Sequence, residues 1–172
     1  VLAVLVETTA ELNLRTIAQL AGISQAQASR LLPGLVALGI VERTEVPPAS
    51  LFRLVPEHVA SQALLALARE EQARLINEDA AVYPIDYPQL LCGDMNATID
   101  NPAIASFLAA GWVDTYGALA DAPDPGNTFH NFRGPAFDQP VGKIDWIFCR
   151  GRVRPVGAEI VRDACEGRYP SD

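Results

Sequence analysis

The sequence predicts an α+β protein built from two different parts, and two observations support this. Residues 1–68 have helical periodicity, are rich in Ala and Leu, and contain few breakers before Val46-Pro47-Pro48. Residues 69–172 are interrupted by Pro and Gly throughout, with short apolar runs between them, as is typical of strands and turns. Residues 57–77 contain neither Gly nor Pro, so we expect a helix to join the two parts.

Charge separates the same two parts. Residues 1–69 hold five arginines and five glutamates, whereas the remainder holds eight basic and sixteen acidic side chains. The whole net charge of -8 therefore lies in the second part. An acidic region favours cation binding and repels polyanions unless metal ions or local basic groups offset its field.

Composition excludes several classes of protein. Apolar residues make up 49% and charged residues 20%, which fits a globular chain and neither a disordered nor a fibrous one. No apolar run reaches the ~18 residues that span a bilayer, and residues 1–6 are too short for a signal peptide. We therefore expect a cytoplasmic protein with no membrane partner. Three cysteines without C-x-x-C spacing predict buried, reduced thiols at Cys92, Cys149 and Cys165.

The first part predicts three short helices. Helices are expected over residues 2–9 and 16–21, and Gly22-Ile23-Ser24 supplies the tight turn of a helix-turn-helix. The third helix begins after Ser24, which can form a capping box with Gln27. Pro33 is expected to end or kink this helix after one or two turns.

One face of the third helix is predicted to be buried by Ala28, Leu31, Leu35 and Leu38. Its other face then leaves three polar side chains for solvent or a ligand: Gln25, Ser29 and Arg30. Residues 38–43 leave the helix at Gly39 and enter a strand, and residues 51–54 return from the Pro-containing turn. The two strands predict a β-hairpin.

Residues 12–54 thereby resemble the winged helix-turn-helix of bacterial transcriptional regulators, with the hairpin as the wing. The resemblance implies that Gln25, Ser29 and Arg30 bind DNA, with the third helix in the major groove and the wing near the backbone. A second interpretation stays open. Winged helices also serve as dimerisation or docking modules, and a part with no net positive charge lacks the groups that neutralise phosphates.

In the second part, an aspartate follows one predicted strand and another aspartate lies within a second predicted strand. Residues 89–92 predict a short buried strand that ends in Gly93-Asp94-Met95-Asn96, and alternation points Asp94 and Asn96 the same way. A helix is expected over residues 102–110. Residues 143–149 predict a strand in which Asp145 faces away from its apolar neighbours and needs a partner. A further strand is expected over residues 154–161.

Four blocks in this part resemble the endonuclease/exonuclease/phosphatase superfamily in order and spacing: residues 93–98, 127–132, 143–147 and 169–172. The resemblance implies that Asp94 positions the attacking water and that Asn96 holds the scissile phosphate. It also implies that Asp145 orients a catalytic histidine and that Asp172 is a metal ligand. The implied cofactor is Mg2+ or Mn2+, and the implied substrate is DNA or another phosphodiester.

Other features of the superfamily have no counterpart in these 172 residues. Its N-terminal half carries a metal-binding glutamate, and its place is taken by the winged helix. The histidine that follows the Ser-Asp pair would be residue 173. The second part is therefore expected to be half of an α/β/β/α sandwich, with one sheet face that a homo-oligomer would cover.

Three interpretations of function remain. The chain is a remnant or chimeric Mg2+-dependent phosphodiesterase or nuclease fused to a winged helix-turn-helix, or a non-enzymatic DNA-binding or dimerising regulator. The third is an engineered chimera without an evolved function. For Asp94 and Asn96, the structural alternative to catalysis is an Asx-type turn at a strand end.

Overall fold

The computed structural model describes residues 1–119, 126–131, 133–138 and 141–166. It contains both helices and strands, and the prediction of an α+β fold is confirmed. The chain divides into two compact units, Val1–Arg69 and Glu70–Asp172.

The first unit combines helices with a small antiparallel sheet. Its helices are α1 (Leu2–Val6), α2 (Leu14–Leu20) and α3 (Gln25–Ala37). Its strands are β1 (Leu12–Asn13), β2 (Val41–Val46) and β3 (Ala49–Leu54), in the order β1-β3-β2. Helix α4 (Val59–Ala81) begins in this unit and continues into the second, as the run without Gly and Pro predicts. The helix-turn-helix and the hairpin that forms its wing are therefore present.

The start of α3 is fixed by its predicted capping box. The backbone N–H of Gln27 donates to Ser24 Oγ at 3.2 Å, and the N–H of Ser24 donates to Gln27 Oε1 at 2.9 Å. Gly22 adopts a φ of +63°, in the left-handed region that a tight interhelical turn requires and glycine tolerates. The turn at Gly22 and the capping box thus set where α2 ends and α3 begins.

Two predictions about α3 are wrong in part, since Ala28 is buried and Leu35 packs against the core as expected. Ala28 and Leu32 are its fully buried residues. Leu31 and Leu38 are 53% and 65% exposed, because α3 turns Leu32, and not its neighbour Leu31, towards the core. Pro33 does not end the helix, which runs on to Ala37. Pro33 and Ser29 are exposed, so water can bond the Ser29 carbonyl that loses its N–H partner.

In the described part of the second unit there are one helix of its own and a three-stranded sheet. Its elements are β4 (Gln89–Asp94), α5 (Pro102–Ala109), β5 (Val113–Asp114), a 3-10 turn (Gly134–Ala136) and β6 (Asp145–Arg150). The sheet order is β4-β6-β5, and both pairs are antiparallel. Residues 154–161 contain no strand, contrary to the prediction, since Pro155 lacks an N–H and Gly157 weakens an extended ladder.

One face of this sheet packs on a hydrophobic core. Trp146 and Phe148 from β6 pack with Ile104 and Phe107 of α5, and the second half of α4 adds Ala73 and Ala80 to the same core. Asn77 of α4 accepts a hydrogen bond from Trp112 Nε1 at 2.9 Å. The core therefore holds β6 from one side.

The opposite face is open, and this corrects the prediction that β4 is buried. Leu90 is 69% exposed and Ile147 on β6 is 56% exposed, whereas Leu91 packs against the core.

The three cysteines are free as predicted, but Cys92 and Cys165 are exposed and only Cys149 is buried. Among the described residues, no helix is long and apolar enough to cross a membrane.

Candidate functional site

The carboxylates of Asp94 and Asp145 lie opposite each other at the end of the β4–β6 ladder. The two residues are direct cross-strand partners, so both side chains project from the same open face. The next pair outward is hydrogen-bonded, with the N–H of Met95 donating to Ile144 O at 2.9 Å. Asp94 and Asp145 therefore form a non-hydrogen-bonded pair, in which Cβ atoms lie about 4.5–5.5 Å apart.

Two like charges at this separation destabilise the sheet unless a cation offsets them. Both aspartates are exposed, which lets solvent screen part of the repulsion. Asp145 was predicted to need a partner, and no hydrogen bond to its carboxylate is seen among the described side chains. The partner that the structure places beside it is a second carboxylate, an arrangement suited to holding a cation.

Asp94 and Asn96 form an Asx-type turn immediately after β4. Asp94 Oδ1 accepts the N–H of Asn96 at 2.7 Å, and Asp94 Oδ2 accepts from Asn96 Nδ2 at 3.2 Å. Asn96 has a φ of +45°, a conformation that asparagine tolerates better than most residues. The turn fixes both side chains at the strand end, and each Asp94 oxygen keeps a lone pair for another ligand.

Thr128 ties the start of β6 to the loop that precedes it. Its Oγ1 accepts the N–H of Ile144 at 3.0 Å and the N–H of Asp145 at 3.1 Å. Beside it, Asn127 Oδ1 accepts the N–H of Gly142 at 3.0 Å. Two of the four sequence blocks are thus joined by hydrogen bonds, and Asp145 lies at their junction.

A pocket of about 730 Å3 opens on this face of the sheet. Asp94 and Asp145 both line it, as do Thr128, His130 and Lys143. The irregular segment 153–161 forms its other wall. The structure therefore brings together Asp94 and Asp145 in one concave surface, with Asn96 bonded to Asp94 from outside the lining.

Three of these pocket residues are not among the site residues predicted from the sequence: Thr128, His130 and Lys143. Each lies in one of the blocks that carry the superfamily resemblance, which is the signal that could have identified them. The predicted metal ligand Asp172, together with its block 169–172, lies outside the described residues.

The donor chemistry of Asp94 and Asp145 fits a hard divalent cation. Mg2+ is usually held by one or two carboxylates, with water and substrate oxygens completing its octahedral shell. Within the described ranges, however, no group of three or more His, Cys, Asp or Glu side chains could hold a metal. The described residues bring two carboxylates together and do not by themselves make up a metal site.

A second concave surface lies in the first unit, between α3 and the wing. It has a volume of about 670 Å3, and Gln25 and Ser29 line it along α3. Arg15 and Arg43 also line it. The exposed Arg30 is not among the lining residues, so the three predicted DNA-binding side chains do not all share this groove.

The wing has two chemically distinct faces. On the groove side, Arg43 donates to Ser50 Oγ at 3.0 Å and contacts Glu45 at 2.5 Å. On the other side, Arg53 contacts Glu42 at 2.5 Å, and this hydrogen bond raises the pKa of the Arg53 guanidinium. Both arginines are about half exposed, so they provide a matched pair of cations on opposite faces.

Comparison with known families gives two matches. Residues 1–45 match the IclR helix-turn-helix domain, and residues 27–172 match the Endonuclease/Exonuclease/phosphatase family. The matches overlap at residues 27–45, which lie in the first structural unit. No curated protein and no solved structure matches the chain. The second match covers most of the chain and contains the whole β4–β6 site, and the chain belongs to the endonuclease/exonuclease/phosphatase family.

Proposed function

We propose that the pocket on the open face of the second unit is a divalent-metal-dependent phosphodiesterase site. The observation that carries this proposal is the cross-strand pair of Asp94 and Asp145 at the floor of a pocket. An uncompensated pair of this kind suits cation binding, and a pocket of about 730 Å3 has room for a phosphodiester with its flanking groups.

Family membership supplies the roles of the individual side chains in this proposal. Asp94 accepts a proton or hydrogen bond from the attacking water, and Asn96 holds the scissile phosphate while its turn keeps Asp94 in place. Asp145 orients a catalytic histidine, and Asp172 contributes to the metal site. Mg2+ or Mn2+, when bound, polarises the phosphoryl oxygen and offsets charge that develops during in-line displacement.

Replacing Asp94 with alanine tests this function. The parent chain is expected to cleave bis(4-nitrophenyl) phosphate and plasmid DNA when Mg2+ or Mn2+ is present, and to lose cleavage in EDTA. In Asp94→Ala the rate should fall by about 100-fold or more, because the water loses its positioning group. The measurements are release of nitrophenolate and conversion of supercoiled plasmid.

Asp100→Ala provides the matched control, since Asp100 is an exposed aspartate of the following loop and does not line the pocket. Its rate should equal that of the parent. If the parent chain does not exceed the metal-only blank, or if both variants cleave alike, the second unit is not a phosphodiesterase through this site.

We also propose that the first unit binds duplex DNA, and the groove between α3 and the wing favours this second function. A recognition helix and a wing arginine flank one concave surface there, and in helix-turn-helix proteins the recognition helix enters the major groove. In this proposal Gln25 and Ser29 meet base edges or phosphates, and Arg30 contacts a neighbouring part of the DNA backbone. Arg43 and Arg15 supply positive charge.

The two arginines of the wing separate DNA binding from a docking function. Arg43→Ala is expected to weaken binding to random-sequence 30-bp duplexes several-fold in low salt, and to reduce the slope of log K against log[salt] by about 1. Arg53→Ala should leave both quantities unchanged because it lies on the other face. Fluorescence anisotropy measures both. Equal effects of the two substitutions, or no binding by the parent, would rule out this interface.

Two further expectations stay predictions. A homo-oligomer would cover the exposed side chains of Leu90 and Ile147 on the open sheet face, and the location in the cytoplasm rests on composition. The interpretations as a dimerising regulator or as a chimera likewise remain beside the two proposals above.

A further inference from the structure

Lys143 is the only lysine of the chain, in which the other twelve Lys or Arg positions are arginines. Its side chain is 10% exposed, and it lines the same pocket as Asp94 and Asp145. Lysine is almost never buried to this extent unless its charge is paired. The neighbours of Lys143 therefore decide what its ammonium group can do.

Three neighbours surround this ammonium. Nζ lies 2.5 Å from Asp114 Oδ2. It stands 3.9 Å from the centre of the Trp146 ring and 5.3 Å from that of the Tyr116 ring, both within the range of a cation–π contact. The Asp114 carboxylate is itself anchored, because Oδ1 accepts the N–H of Tyr116 at 3.2 Å. Gly117 makes room for it, since a Cβ at that position would lie 2.5 Å from Asp114 Oδ2.

The arrangement leaves hydrogen-bonding capacity on the ammonium. A lysine has three N–H donors, and Asp114 is the one hydrogen-bond acceptor seen for Lys143 among the described residues. Lys143 lines the pocket together with its aromatic neighbours Tyr116 and Trp146, whereas Asp114 does not line it. A compact cation is thus fixed at the wall of a cavity.

We propose that Lys143 is the phosphate-binding cation of this pocket, donating to a non-bridging oxygen of the bound phosphodiester. The inference rests on the proposed phosphodiesterase site and deepens it. The carboxylates of Asp94 and Asp145 repel an anion, so a phosphodiester needs a positive group on another wall. Lysine serves this purpose as a point charge that requires no planar geometry.

A titration of the parent chain tests the proposal without any substitution. Because the sequence has one lysine, labelling with 13C,15N-lysine gives a single Cε–Hε cross-peak that needs no assignment. The probes are inorganic phosphate and dimethyl phosphate, without divalent cations, with sodium chloride at matched ionic strength. We expect a saturable shift of the peak with both phosphates, and a small linear drift with chloride.

A pair of variants gives the second measurement. The indole N–H peak of Trp146 should follow the same phosphate titration, since the ring contacts Lys143. In Lys143→Met the midpoint should move to at least about tenfold higher phosphate, whereas Arg152→Met should leave it unchanged. Arg152 is a suitable control because its side chain is 79% exposed and does not line the pocket.

The outcomes separate this inference from the proposed function. A phosphate response indistinguishable from that of chloride, or an equal response in Lys143→Met, overturns the role of Lys143 even if the chain cleaves phosphodiesters. A saturable response that Lys143→Met weakens supports it even if no cleavage occurs, and then the site binds phosphate without turnover.

Discussion

Replacing Phe148 with alanine is expected to lower the free energy of unfolding of the second unit by about 3–5 kcal/mol. Phe148 is fully buried on the central strand of the sheet. Its ring stacks on Trp146 with 5.2 Å between centroids and meets Phe107 of α5 at 5.6 Å. Truncation removes this contact area and leaves a cavity that two large rigid rings cannot easily fill.

Tryptophan fluorescence during urea denaturation measures this effect selectively. The chain has two tryptophans, Trp112 and Trp146, and both are buried in the core of the second unit. Ile147→Ala is the matched control, because Ile147 is the next residue of β6 and points to the open face. It should cost less than about 1 kcal/mol. Equal costs for the two substitutions would mean that the open face is covered in solution.

The elements that sequence analysis located correctly are those set by short-range signals. Ser24 and Gln27 mark the start of α3 three residues apart, and Pro102 marks the start of α5. The hairpin follows from two strands on either side of Pro47-Pro48. In each case the residues that decide the structure lie within one turn or one hairpin, so no tertiary contact is needed to infer it.

The errors occurred where tertiary packing decides. Leu31 and Leu32 are equally apolar, and only contact with the rest of the first unit selects Leu32 for the core. Strand β4 reads as fully apolar at Leu90-Leu91-Cys92, but the sheet has a core on one side alone. Local periodicity predicts which side chains share a face, but it does not show whether another element packs on that face.

Only part of the candidate site could be predicted from the sequence, because some of its residues meet through tertiary contacts. Asp94 and Asn96 are close in sequence, and both the catalytic motif and the Asx-type turn could be named from it. The facing of Asp94 and Asp145 requires the antiparallel register of β4 and β6, 51 residues apart in the chain. Lys143 and Asp114 meet only because the two-residue strand β5 pairs with β6, and so short a strand has no recognisable periodicity.

Substituting valine for Thr128 is expected to lower the free energy of unfolding of the second unit by about 2–3 kcal/mol, although valine has nearly the same shape. The Thr128 hydroxyl accepts the backbone N–H groups of both Ile144 and Asp145, and valine offers no acceptor to either. The Ile144 donor is partly buried, so water replaces the lost bond poorly. The first residue of β6 should then fray, and with it the carboxylate that faces Asp94.

Amide hydrogen exchange measures this loss where it occurs. In Thr128→Val the amides of Ile144 and Asp145 should exchange at least about tenfold faster relative to the core amides of β6, and Thr128→Ser should restore them. Thr115→Val is the matched control: its hydroxyl donates to Ile147 O, which already accepts the N–H of Thr115. That change leaves no backbone donor without an acceptor. It should lower the free energy of unfolding by less than about 1 kcal/mol. If protection at Asp145 survives in Thr128→Val, the loop does not position this carboxylate, and any fall in cleavage by that variant has another cause.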